Sequence, residues 1–155
     1  SDLCLIVGSG KEPSLRVGCW RGPYWRYWRL LVGKIVRTLT FFKPTEFDSP
    51  DQPGSGKNMD PGFLAKLEQA RLKANFPWVI TAGYRTVSHN KKLGGAPNSW
   101  HLKGMAADIA CTNGWQRYII VKSAIEAGIF GIEVCEKHIH LDNRPDPCMW
   151  CDVDK

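Results

Sequence analysis

The strongest periodic pattern in the chain runs from Pro61 to about Asn75. Phe63, Leu64, Leu67 and Ala70 recur at three- and four-residue intervals, the spacing that stacks apolar side chains on one face of a helix. Asp60 stands before them as an N-cap whose carboxylate can accept an otherwise unbonded amide. Pro61 suits the first helical position, where no amide hydrogen is needed. Pro77 ends the pattern. Trp78–Thr81 then reads as a strand leading into Gly83-Tyr84-Arg85, and residues 86–100 as a polar loop with glycines. Met105–Cys111 predicts a second strand, and Trp115–Ala127 a second helix closed by Gly128. Phe130–Val134 and Lys137–Asp142 predict a closing pair of strands, while residues 48–61, rich in Pro, Gly, Ser and Asp, have the chemistry of turns. Helices and strands alternate irregularly through short connections. This predicts an α+β fold, a small and mainly antiparallel sheet with flanking helices, with no internal repeat.

The first 40 residues differ from this body. Trp20, Tyr24, Trp25, Tyr27 and Trp28 crowd around Gly22-Pro23, and Tyr24–Thr40 patterns as an amphipathic helix with Arg26, Arg29, Lys34 and Arg37 on its polar side. Such a helix either lies on a membrane surface or anionic polymer, or packs its aromatic side on the domain. The net charge of +6 points the same way. Residues 1–43 hold eight lysines and arginines against Asp2 and Glu12, whereas the rest of the chain is balanced. The basic character therefore belongs to an extension, residues 1–40, and not to the body, residues 41–155; it indicates an anionic partner without singling out nucleic acid. A length of 155 residues with 43% hydrophobic and 23% charged residues suits one globular domain, expected as a monomer. No run of 18 apolar residues is present, and Leu3–Val7 is too short for a secretory signal. Ser1 in place of Met suggests a missing or processed N-terminus.

Six cysteines permit disulfides without assigning them. Cys148-Met-Trp-Cys151 has the spacing of half a zinc site, which Cys111 and Cys135 would have to complete. The plainer expectation is free thiols in a reducing compartment. A redox dithiol is disfavoured, because no helix is predicted after the pair.

Two stretches carry chemistry. The first is Ser99-Trp-His101-Leu-Lys-Gly104-Met-Ala106-Ala-Asp108, and the second His138-Ile-His140-Leu-Asp142. Zinc takes imidazole nitrogen and carboxylate oxygen, and a catalytic site keeps three protein ligands and one open position. Gly104 allows a tight turn between His101 and Asp108, and Ala106 leaves space beside an ion. Glu136, His138, His140 and Asp142 stand two apart, so a strand would point them to one face.

Read with Phe42–Phe47 (Phe-Lys-Pro-Thr-Glu-Phe), Met59-Asp-Pro, Ala82-Gly-Tyr-Arg85 and Gly94-Gly-Ala-Pro-Asn-Ser99, these motifs resemble the zinc D-Ala-D-Ala carboxypeptidase family. That family includes phage endolysin peptidases and D-Ala-D-Ala dipeptidases and shares a metal-site fold with hedgehog signalling domains. The resemblance covers roughly residues 41–145. It implies Zn2+ held by His101, Asp108 and His140, and Arg85 holding a substrate carboxylate or carbonyl oxygen, unless Arg85 is only a structural ion pair. It also implies that Ser99 orients a ligand or the substrate amine and that Tyr84 lines the pocket; Asp142 is read, apart from the resemblance, as an outer or surface carboxylate. The general base is left open. Some members place a Glu three residues before the last ligand, where this chain has Lys137. Others place a His two before it, matching His138, and Glu136 and Glu133 are the alternatives. The implied activity is metal-assisted hydrolysis of peptidoglycan stem peptides, by a phage or bacterial product made in the cytoplasm and acting at the cell wall. A cell-wall-binding module that keeps the metal but not the activity is the competing expectation.

Overall fold

The structure, a computed structural model, describes residue 39 and residues 41–151. The helix expected over Tyr24–Thr40 lies outside the described residues. Three helices and five strands make up the body: α1 (Pro61–Ala74), β1 (Ile80–Ala82), α2 (Val87–Lys92), β2 (Ala106–Ala110), α3 (Gly114–Glu126), β3 (Gly131–Val134), β4 (His138–Asp142) and β5 (Cys148–Cys151). The strands form one sheet in the order β1-β2-β4-β3-β5. All neighbours are antiparallel except β3 and β5, which are parallel. This is the α+β, mainly antiparallel arrangement the pattern predicts.

Local chemistry explains the long helices. Asp60 accepts the Phe63 amide at 2.7 Å, and the chain leaves α1 through Asn75 in the left-handed conformation, φ 54°. Asn113 caps α3 by accepting from the Gln116 amide, and Gly128 turns the chain away at φ 77°. Phe63, Leu67 and Ala70 of α1 pack with Ile120 and Ala124 of α3 against one face of the sheet, formed by Ala107, Ile109, Ile132, Ile139 and Leu141. Most of these side chains are fully buried, and each large one contributes roughly 1.5–3 kcal/mol. Because a strand alternates its side chains, the same residues fix what the opposite face shows.

Several expectations are corrected. The first strand is Ile80–Ala82 rather than Trp78–Thr81; Trp78 instead packs in the core beside Phe42 and Phe76. A register shift between Ile80 and Ala82 sets Ala82 opposite Asp108. The expected loop over residues 86–100 holds α2, which Thr86 caps by accepting the His89 amide at 3.0 Å. Its exposed and polar side chains carry no helical apolar period. Strand β5 was not expected. Glu136 lies in the turn before β4, exposed, so it does not join the face of His138, His140 and Asp142. The Cys-x-x-Cys pair falls on β5, where side chains three residues apart point to opposite faces. Among the described residues no disulfide joins the four cysteines, and none of them belongs to a metal-holding cluster.

Candidate metal centre

Two local devices bring the centre together. The first is the turn that carries His101. Ser99 opens it, its hydroxyl accepting the His101 amide at 3.3 Å, and the chain makes a short 3₁₀ turn over Trp100–Lys103. It leaves through Gly104 at φ 67°. A side chain at Gly104 would run into the Asn58 carbonyl and lie 2.9 Å from the Met59 Cα, so only glycine closes this turn against the preceding loop. The second device is the pairing of β2 with β4, which sets Asp108 directly across from His140. Ala106 and Ala110, both small, flank Asp108 on the same face.

His101, Asp108 and His140 each offer one donor atom within 4.8 Å of the others. His101 Nε2 lies 3.2 Å from Asp108 Oδ1 and 3.2 Å from His140 Nδ1, and the latter two are 2.8 Å apart. A tetrahedral ion with bonds of about 2.0–2.1 Å spaces its ligand atoms roughly 3.3 Å apart. The triangle is therefore close to the size zinc requires, one edge being short because hydrogen is shared where an ion would sit.

Each donor is also held from behind. His101 Nδ1 donates to the Gly83 carbonyl at 2.6 Å; since a carbonyl only accepts, Nε2 is left with its lone pair toward the centre. Asp108 Oδ2 accepts from Arg85 at 2.6 Å, leaving Oδ1 for the centre. His140 Nε2 donates to Asp142 Oδ2 at 3.2 Å, so Nδ1 faces inward. Outer contacts of this kind fix the tautomer and orientation of metal-binding side chains.

The electrostatics follow from burial against these contacts. Burial alone would raise the Asp108 pKa, but the two imidazoles beside it, His101 and the hydrogen-bonding His140, outweigh it and hold the carboxyl well below its usual range. Burial alone would lower that of His140, but its bonds to Asp108 and Asp142 push it up to about 9. Asp142 is likewise held low, its burial outweighed by Arg144 and His140. The ion-free centre thus keeps a proton between His140 and Asp108, in the place a cation would take.

The remaining expected residues take the following places. Arg85 pairs with Asp108, and its Nε is buried without an acceptor among the described residues. Ser99 acts on the backbone of the His101 turn. Tyr84 is half-buried and packs against the core. His138 stands on the site face, paired with Ala110, two residues along β4 from His140. Glu133, buried, pairs directly with His140 from β3. Asp142 is fully buried rather than at the surface. Sequence reasoning missed the Gly83 carbonyl, Arg144 and Trp150. The nearest signal was the adjacency of Gly83 to Tyr84-Arg85, while Arg144 belongs to no motif recognised in the chain and Trp150 lies inside the Cys148–Cys151 spacing, which points to thiolates and not to the ring.

A family model described as Peptidase M15 matches residues 41–142. No curated protein matches the chain. Peptidases of that family depend on zinc, and two imidazoles with one carboxylate are a donor set that zinc accepts. The match stops at Asp142, so Arg144 and β5 lie beyond it.

Proposed function

The chain belongs to the Peptidase M15 family of zinc metallopeptidases, and on that premise we propose that it hydrolyses peptide bonds in peptidoglycan stem peptides, as a D-Ala-D-Ala carboxypeptidase or endopeptidase. The observation that carries this reading is Arg85. It stands beside the metal-binding carboxylate with part of its guanidinium side chain still open to solvent. A peptide ending in a carboxylate, or a carbonyl oxygen next to the bond cut, is an acceptor for the guanidinium hydrogens that Asp108 leaves over. Action at a bacterial cell wall, by a phage or bacterial product, goes with this substrate.

His101, Asp108 and His140 would hold the ion, which supplies Lewis acidity to the scissile carbonyl and to the attacking water. Arg85 orients the substrate and, through Asp108, the site itself. His138 takes the proton of the attacking water and returns it to the leaving amine; it stands on the same face two residues from His140.

Zinc-loaded protein is incubated with purified peptidoglycan and with model peptides ending in D-Ala-D-Ala, and the products are read by mass spectrometry. Release of D-Ala or of stem-peptide fragments supports the reading. Binding to peptidoglycan with no bond broken would favour a wall-binding module instead. On the base, His138→Gln should lower kcat by roughly 10²–10⁴-fold. A loss of that size in Glu133→Gln or Glu136→Gln, with His138→Gln still active, moves the role to that carboxylate.

A further inference from the structure

The sheet places a second set of side chains behind His140, and apart from Asp142 its members come from beyond the family match. Asp142 does not stand alone. Arg144 Nε donates to its Oδ1 at 2.8 Å, Arg144 NH2 to its Oδ2 at 2.6 Å, and the Arg144 backbone amide to Oδ1 at 3.0 Å. With His140 on Oδ2, both oxygens of this fully buried carboxylate are committed.

The guanidinium is in turn held by β5. Its carbon lies 4.3 Å from the centre of the Trp150 ring, a cation stacked on an aromatic face. Cys148, two residues earlier on the same face of β5, lies close enough to interact with Arg144. Trp150 also stands 6.1 Å, ring to ring, from His140.

Sheet register explains why these residues meet. One row across the sheet is Asp142–Gly131–Cys148, and the next is His140–Glu133–Trp150. The missing side chain at Gly131 lets the Asp142–Arg144 pair lie across β3. A Cβ there would strike the Asp142 carboxylate and come within 2.7 Å of Arg144 Nε.

We infer that Arg144 and Trp150 are positioning residues for the metal centre: Trp150 holds Arg144, Arg144 holds Asp142, and Asp142 sets the His140 ring with Nδ1 toward the ion. Edge strand β5 is thereby part of the metal site without supplying a ligand. The proposal rests on the metal-site reading and on nothing about the substrate.

The test is zinc affinity by chelator competition on the full chain, with the melting temperature of the metal-free protein as the check of folding. Arg144→Ala and Trp150→Ala should each weaken zinc binding, Arg144→Ala by roughly 10–100-fold and Trp150→Ala by less. Trp150→Phe, which keeps an aromatic face, should recover most of the loss. Arg144→Ala should add little in an Asp142→Asn background, since both act along one line. Cobalt-loaded Arg144→Ala should show a shifted visible absorption band, as expected of a turned His140. Gly131→Ala, which fills the corridor and touches no ligand, should weaken zinc in the same way. Wild-type zinc affinity in folded Arg144→Ala and in Trp150→Ala overturns the proposal, as does full additivity with Asp142→Asn. A wild-type protein that binds no zinc overturns the metal-site reading itself, and with it the proposal.

Discussion

The two faces of β2 and β4 are built from alternate residues of the same ten-residue pair, yet they do opposite things. Ala107, Ile109, Ile139 and Leu141 face the helices, dry and fully buried. Asp108, His138, His140 and Asp142 face the other way, where Asp108 and Asp142 both bond to the His140 ring. The helix face gains stability from close packing and nothing from chemistry. The site face buries charges, and each is tolerated only because a counter-group meets it. One face therefore fixes the register that the other depends on: a slip of one residue would send the ligands into the core.

Removing a ligand should break the site face alone. His101→Ala should lose stoichiometric zinc, measured by elemental analysis, and peptidase activity should fall by roughly three orders of magnitude or more. Its metal-free fold should persist. Removing a core side chain should do the reverse. Leu141→Ala should destabilise the fold by about 2–5 kcal/mol in urea unfolding, while zinc still binds at one per folded chain.

Acidity separates the faces as well, because only one of them titrates. His140 holds its proton up to about 9, against an ordinary value of 6.5. Its contribution to the metal-free fold is therefore complete below 6.5 and is lost as pH rises toward 9. Asp108 and Asp142 are held low, so their contribution is present above 3.8 and is lost as pH falls below it. The metal-free protein should melt highest between these limits. Zinc must displace the His140 proton, so its affinity should rise about tenfold per pH unit up to about 9 and then level off. An affinity flat from pH 6 to 8 would contradict this. The smallest effect is expected at Cys151, which points away from the site face; Cys151→Ser should leave zinc stoichiometry and affinity unchanged.

What could be read in the chain beforehand divides along the same line. That His101, Asp108 and His140 come together was legible from the motif series that resembles the zinc carboxypeptidase family, helped by the two-residue spacing on the last strand and by Gly104 between His101 and Asp108. Helices α1 and α3 were legible from apolar period and from Asp60 and Gly128 at their ends. The register that pairs Asp108 with His140 was not, since it depends on how the whole helix face packs. The Gly83 carbonyl, the Asp142–Arg144 pair and β5 were not legible for a related reason: each contributes through a partner distant in the chain or through backbone, which no residue type announces. The same geometry corrects the Cys148–Cys151 expectation, because a three-residue spacing that suits a zinc loop diverges on a strand.

The central claim is that zinc sits among His101, Asp108 and His140, on the polar face, with no thiolate. X-ray absorption of the zinc-loaded chain tests it most directly. The account predicts nitrogen and oxygen neighbours only, at about 2.0–2.2 Å, with imidazole scattering from two histidines. A sulfur shell at about 2.3 Å would place the ion on the cysteines and contradict it.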